Sequence, residues 1–246
     1  MRGRERTRFP VAAKIAFVRA GITGGSNDTN GAPNGTPLLG RPAEMDLDRD
    51  ANELYIADGY QNRRIIVVDA TTGMYKRHWG AYGNVPSDAA IPPYDPAAPL
   101  PQQFRTPVHC VAVAADGLVY VCDRVSNRIQ VFRTNGTFVK EFRTEVSTRG
   151  NGSAYNAGLS PDRAQSFLFN ADGENQHIWV FMRQTGQVLS KVGRGGRQAG
   201  EFTAVHSLAV DSKGNIYTGE VDAGMRLQKH ANLGTSRRDD DDDDDD

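Results

Sequence analysis

Four times along this chain one device recurs: a hydrophobic strand closes on an acidic residue, a short polar turn follows, and a second alternating strand leads away. Leu54 to Val68 reads LYIADGYQNRRIIVV, and Val119 to Phe132 reads VYVCDRVSNRIQVF. Phe167 to Phe181 reads FLFNADGENQHIWVF, and Ile216 to Lys229 carries a decayed copy, IYTGEVDAGMRLQK. Period-two alternation on both sides of a turn describes an antiparallel hairpin. A short strand precedes each hairpin: MDLD from Met45, CVAVA from Cys110, AGLS from Ala157 and SLAVD from Ser207. After the first three hairpins a fourth strand follows a glycine turn, in TTGMYKRHWG, TNGTFVKEF and QTGQVLSKVG. Repeated units of four antiparallel strands predict an all-β chain of propeller blades. The acidic positions Asp58, Asp123, Asp172 and Glu220 lie 65, 49 and 48 residues apart. The long first interval holds an insertion between Ala81 and Gln103, rich in Pro and Gly, expected as a surface loop over one face.

Composition agrees with this reading and removes some partners. The chain is 38% hydrophobic and 24% charged, an ordinary globular balance, and its 26 Gly and 12 Pro suit many short strands and turns. The net charge of −1 conceals eight consecutive aspartates, Asp239 to Asp246, without which the body stands at about +7. That body has no clustered basic stripe interleaved with aromatics, so nucleic acid is not favoured as a partner. No stretch reaches the roughly 18 apolar residues of a membrane span, and no membrane association is expected. The cationic N-terminus is interrupted by Lys14 and Arg19 before an apolar run develops, which makes a poor signal peptide. Residues 1–10 read as a disordered N-terminus and 233–246 as a disordered acidic tail. Residues 11–232 read as the propeller, with blades near 41–80, 104–142, 153–193 and 200–230.

The innermost strand of each blade runs along the central channel, so the residue where it begins faces the mouth. Aligning RPAEMDLD, TPVHCVAV, AYNAGLSP and AVHSLAVD places Glu44, His109, Asn156 and His206 there in turn. If the full ring held six blades, histidine in alternate blades would place imidazoles about 120° apart. Three such imidazoles would form a ligand set with an open position, as in catalytic zinc, although imidazole also suits copper, iron and nickel. The third would be due N-terminal to the blades present. The competing reading is two strand-end histidines hydrogen-bonded to nearby backbone. His78, His177 and His230 do not share the register.

The pattern of an acidic residue, an intervening turn and Asn-Arg before a β-branched strand, at Ile56 to Val67 and Val121 to Val131, resembles the NHL repeat family. Gly200-Glu201-Phe202, ahead of the strand from Ser207, is similar to NHL blade junctions. The resemblance spans roughly Ala12 to His230 and implies a six-bladed NHL-type β-propeller. This chain supplies about four blades, and KIAFVRAGITGG resembles only the outermost strand of a preceding one. The expectation is therefore a fragment, or a part completed by further chain.

Within that family the set is similar to the peptidyl-α-hydroxyglycine α-amidating lyases, which hold zinc with three histidines from alternate blades. The resemblance implies His109 and His206 as metal ligands. It implies Tyr60, of Asp58-Gly59-Tyr60, as the proton acceptor, and Arg124, following Asp123, as the grip on a substrate carboxylate. It implies lyase activity on a small-molecule or peptide substrate when the full propeller is assembled, and relatives that are mostly secreted or periplasmic. The family's structural calcium uses an aspartate after the last metal histidine, where this chain has Ser207, so calcium is not carried over. The reading from a different class is a non-catalytic scaffold that presents its propeller face to a protein or other ligand.

Other signals have plainer readings. Cys110 and Cys122 flank the turn Ala114 to Gly117 symmetrically and would lie opposite each other, either bridged or, the favoured reading, as buried thiols. Asn34-Gly35-Thr36, Asn135-Gly136-Thr137 and Asn151-Gly152-Ser153 match glycosylation acceptors but read better as tight turns. Gly193-Arg194-Gly195-Gly196-Arg197 lacks the Lys-Ser or Lys-Thr of a phosphate loop and reads as an interblade loop.

Overall fold

The computed structural model describes residues 25–27 and 38–234. The expectations for residues 1–10, for the strand-like segment 14–24, for Asn34-Gly35-Thr36 and for the acidic tail from 235 onward lie outside those residues. Within them the chain is all-β apart from two single 3-10 turns, Ala81–Gly83 and Arg124–Ser126, and its blades are those of a β-propeller. No helix among the described residues is long and apolar enough to cross a membrane.

Contacts divide the chain into two compact units, Met1–Ala157 and Gly158–Asp246. In the first, strands β1 (Glu44–Asp48), β2 (Glu53–Asp58), β3 (Arg64–Asp69) and β4 (Tyr75–Trp79) form one antiparallel meander. Strands β5 (Val108–Val113), β6 (Leu118–Asp123), β7 (Arg128–Arg133) and β8 (Phe138–Arg143) form the next. The unit boundary falls inside β9 (Asn156–Leu159), the edge strand of a sheet completed by β10 (Phe167–Asp172), β11 (His177–Met182) and β12 (Val188–Val192). The second unit continues with a two-residue parallel ladder, β13 (Arg194–Gly195) against β14 (Glu201–Phe202). It ends in a three-stranded sheet, β15 (Val205–Val210), β16 (Ile216–Glu220) and β17 (Leu227–His230). The Gly-Arg-rich segment is thus drawn into a small clip, with Arg194 paired to Glu201 at 2.9 Å.

Strands with apolar residues at every position, such as the Ile65-Ile66-Val67-Val68 run, must be covered on both faces. One face of the first blade, with Tyr55, Ala57, Ile65 and Val67, packs on Val108, Val111, Val119 and Val121 of the second, and Trp79, Phe104 and Phe132 fill the layer. The opposite face, Ile56, Ile66 and Val68, gathers Leu39 and Leu54. Each fully buried large side chain in these layers contributes about 1.5–3 kcal/mol.

The acidic residue that marks each hairpin is a buried anchor. Asp58 pairs with Arg64 at 2.9 Å and Asp123 with Arg128 at 2.8 Å, and all four side chains are fully buried. Asp58 also accepts the Gly40 N–H at 2.6 Å and the Asn62 amide at 2.7 Å. The strand register sets Asp58 opposite Arg64 but Asp123 opposite Arg128, so the first turn is one residue longer than the second. Asn62-Arg63 and Asn127-Arg128, which match in sequence, are therefore out of step: Arg63 reaches outward to the Ala89 carbonyl. In the second unit Glu220 pairs with Arg226, and Asp172 accepts Trp179 Nε1 and Asn175 Nδ2 at 3.0 and 2.9 Å.

The insertion between Ala81 and Gln103 is an irregular, mostly exposed segment pinned to the body at a few points, and one other expectation needs correction. Phe104 is fully buried, the Tyr94 hydroxyl donates to the Val146 carbonyl at 2.7 Å, and the Pro101 and Gln103 carbonyls accept from Arg128 at 3.2 and 3.1 Å. A buried guanidinium needs acceptors on all its N–H groups, and this segment provides two. Cys110 and Cys122 are bridged rather than separate thiols, because they are direct partners across β5 and β6 with Cα atoms 4.8 Å apart. The Asn135-Gly136 segment forms the tight turn between β7 and β8, closed by Gly136 N–H on the Arg133 carbonyl at 2.9 Å.

Candidate functional site

Each first strand begins one or two residues earlier than its apolar pattern suggests, so Glu44, His109, Asn156 and His206 all lie within strands. The two histidines share a further feature. In the first unit Val108 pairs with Asp123 and Cys110 with Cys122, which leaves His109 as the extra residue of a bulge. In the second unit Val205 pairs with Glu220 and Ser207 with Gly219, and His206 is the extra residue in the same way. A bulge breaks the pleat and re-aims one side chain, and bulges concentrate beside functional sites. Glu44, by contrast, sits in regular register opposite Ala57.

Around His109 the first unit assembles three of the four predicted site residues. The Nδ1 of His109 lies 2.6 Å from the Tyr155 carbonyl oxygen, which can only accept, so Nδ1 carries the proton. Nε2 is then the lone-pair nitrogen of the neutral ring, and the Tyr60 hydroxyl donates to it at 3.0 Å. Tyr60 itself is 42% exposed whereas His109 is buried, so the pair opens toward solvent on the tyrosine side. Arg124 completes the group: its Cζ stands 4.8 Å from the Tyr155 ring centroid and 6.0 Å from that of Tyr60. Among the described residues no carboxylate pairs with Arg124, and its Nε is sealed from solvent without a hydrogen-bond partner.

Two glycines make this convergence geometrically feasible. A Cβ on Gly59 would stand 1.9 Å from the Val108 carbonyl oxygen, so the Asp58-Gly59-Tyr60 turn lies against the main chain next to His109 only because residue 59 has no side chain. Gly152, at φ +79, presses on the Arg124 carbonyl in the same manner, with a hypothetical Cβ at 2.0 Å.

Next to this group Glu44 Oε1 accepts the Asn156 side-chain amide at 2.8 Å, and its Oε2 is enclosed. Burial pushes the Glu44 carboxyl up to about 7, against hydrogen bonds from Asn156 and the Val111 backbone that favour the charged form. His206 belongs to the second unit, where it is half-buried beside an exposed Ser207. No group of three His, Cys, Asp or Glu side chains suited to a metal is assembled among the described residues. His109 has the arrangement of a ligating imidazole, with one nitrogen donating to a carbonyl and the other holding a lone pair. Tyr155 contributes a carbonyl and a ring to the site, and sequence reasoning missed it; its only signal was its place beside the axial Asn156.

Comparison with known proteins agrees with this fold. The NHL repeat family pattern matches residues 108–132, the stretch that carries His109, Arg124 and the Asp123–Arg128 pair. The chain thus carries an NHL repeat at residues 108–132 within blades that are those of a β-propeller. It is similar to peptidyl-glycine alpha-amidating monooxygenase B of Xenopus laevis, 26% identical over 200 residues, covering 74% of this chain and 19% of that protein. Monooxygenase A of the same organism is 27% identical, covering 74% of this chain and 18% of the relative. Peptidyl-alpha-hydroxyglycine alpha-amidating lyase 1 of Drosophila melanogaster is 27% identical over 193 residues, covering 73% of this chain and 33% of that protein. The chain thus spans about a fifth to a third of the length of these relatives. Among solved structures, Kuenenia stuttgartiensis hydrazine synthase superposes with a TM-score of 0.53 at 16% identity, over 79% of this chain and 46% of that one, a likeness of fold alone.

Proposed function

We propose that this propeller supports an amidating-lyase-like reaction, the cleavage of a peptidyl-α-hydroxyglycine to a peptide amide and glyoxylate. The observation that carries the reading is the meeting of Tyr60, His109 and Arg124 in one group, with Arg124 lacking an anionic partner among the described residues. The reaction breaks the bond between the amide nitrogen and the hydroxyl-bearing carbon. The hydroxyl proton leaves, its oxygen becomes an aldehyde carbonyl, and the nitrogen takes up a proton, so atoms and electrons balance without a further reactant. Arg124 offers a planar fork of donors to the glycine carboxylate. The Tyr60 oxygen, exposed on the open side of the group, can take the hydroxyl proton in its ionised form, in which it no longer donates to His109 Nε2 and leaves that lone pair available.

A zinc ion held through His109 Nε2 would supply Lewis acidity that lowers the pKa of a hydroxyl bound to it. The donor geometry of His109 fits such a role. Metal content tests this part without reference to turnover: zinc in stoichiometric amount that is lost in His109→Ala supports it. Glyoxylate released from an N-acyl-α-hydroxyglycine, abolished in Tyr60→Phe and reduced at limiting substrate in Arg124→Lys, supports the lyase reading. A well-folded chain that takes up no zinc and releases no glyoxylate overturns it and leaves the binding-scaffold reading standing.

A further inference from the structure

Tyr155 touches both His109 and Arg124 of the proposed site, and does so by different parts. Its main-chain carbonyl takes the Nδ1 proton of His109 at 2.6 Å. Its ring lies under the Arg124 guanidinium, 4.8 Å from ring centroid to Cζ, and meets the His109 ring edge-on at 5.6 Å between centroids. The residue is 8% exposed, so it presents little surface of its own to a ligand. Its position in the chain is also held: the next residue, Asn156, opens β9 and donates to Glu44 of β1 at 2.8 Å. Gly152, three residues earlier, is pressed against the Arg124 carbonyl. The segment 152–156 is therefore tied to the loop carrying Arg124 on one side and to β1 on the other.

We propose that Tyr155 is a positioning residue that fixes His109 in its Nδ1-protonated form through the backbone and holds the Arg124 guanidinium in place through its ring. Arg124 has no ion pair among the described residues, so the aromatic face is what restrains it before a carboxylate arrives. This deepens the preceding reading and rests on it only where Arg124 is said to take a ligand carboxylate. The role needs the aromatic ring and the main chain but not the phenolic hydroxyl, so it predicts opposite results for two substitutions.

The experiment follows the Arg124 Nε–H and His109 ring resonances by nuclear magnetic resonance in the whole chain, with N-acetylglycine as the carboxylate probe. In the wild type the Arg124 Nε–H is expected upfield, under the ring current, and His109 in the Nδ1–H tautomer. Tyr155→Phe keeps both signals and binds the probe within about twofold of wild type. Tyr155→Leu loses the upfield shift and binds the probe about tenfold more weakly, the scale of a partly desolvated cation–π contact. A wild-type Arg124 signal at its unperturbed position, or a Nε2–H tautomer for His109, overturns the proposal with no variant needed. Tyr155→Leu signals and affinity equal to wild type overturn it as well. A wild type that ignores N-acetylglycine, while Tyr155→Leu still loses the Arg124 shift, overturns the carboxylate reading and leaves the positioning role supported.

Discussion

Glu44→Gln should stabilise this protein, but only at alkaline pH. The Glu44 carboxyl is raised from an ordinary 4.5 to about 7, chiefly because burial penalises its charged form. Below pH 4.5 the group is protonated whether the chain is folded or not, and it adds no pH dependence. Between 4.5 and about 7 the folded chain holds a proton that the unfolded chain has released, so stability falls as pH rises through this window. One pKa unit is worth about 1.36 kcal/mol, which puts the full loss at about 3 kcal/mol. Glutamine has nearly the same shape, keeps an oxygen to accept the Asn156 amide, and has no charge to bury. Urea unfolding at pH 4 and pH 8.5 should therefore show the variant equal to wild type at the lower pH and about 3 kcal/mol more stable at the higher. A difference of the same size at both values, or a variant weaker than wild type at pH 8.5, would refute the reasoning, because the Asn156 and Val111 hydrogen bonds would then outweigh the desolvation.

Three further outcomes follow from the packing. Arg128→Met leaves the fully buried Asp123 without its cation and should cost about 3–5 kcal/mol in urea unfolding, whereas an exposed ion pair would cost under about 1. Removing the bridge with Cys110→Ala and Cys122→Ala together, which opens a loop of 12 residues' separation, should cost about 3 kcal/mol under non-reducing conditions and leave stability insensitive to added thiol. Gly59→Ala drives a methyl into the Val108 carbonyl and should lose about 1–3 kcal/mol together with the Tyr60–His109 hydrogen bond, visible as a changed His109 ring resonance; an unchanged resonance would show that the close approach is not required.

The blades were legible before any coordinates because their information is local. Period-two alternation and a turn every few residues specify a hairpin from neighbouring residues alone, and the repeat of that hairpin specifies how sheets follow one another. The acidic residue ending each second strand was legible as a marker, but its work was not. Only the ladder register reveals that Asp58 meets Arg64 whereas Asp123 meets Arg128, since one added residue in a turn changes which side chains face.

His109 and His206 were found by aligning strand starts, yet nothing in their spacing announces that each is the extra residue of a bulge. A bulge is a mismatch between two strands and exists only once they are paired. The insertion after Ala81 was legible from its Pro and Gly as irregular, exposed chain, but not that its Pro101 and Gln103 carbonyls serve the buried Arg128, which lies 27 and 25 residues further along. Tyr155 lay beyond sequence reasoning altogether, because it acts through a carbonyl that every residue has and a ring whose neighbours come from 31 and 46 residues earlier in the chain. The residue pattern along this chain thus settles strands, turns and blade order, which depend on near neighbours. Which imidazole nitrogen holds its proton, and which cation lies over which ring, is decided by contacts between strands and loops far apart in the chain, and those exist only in the folded protein.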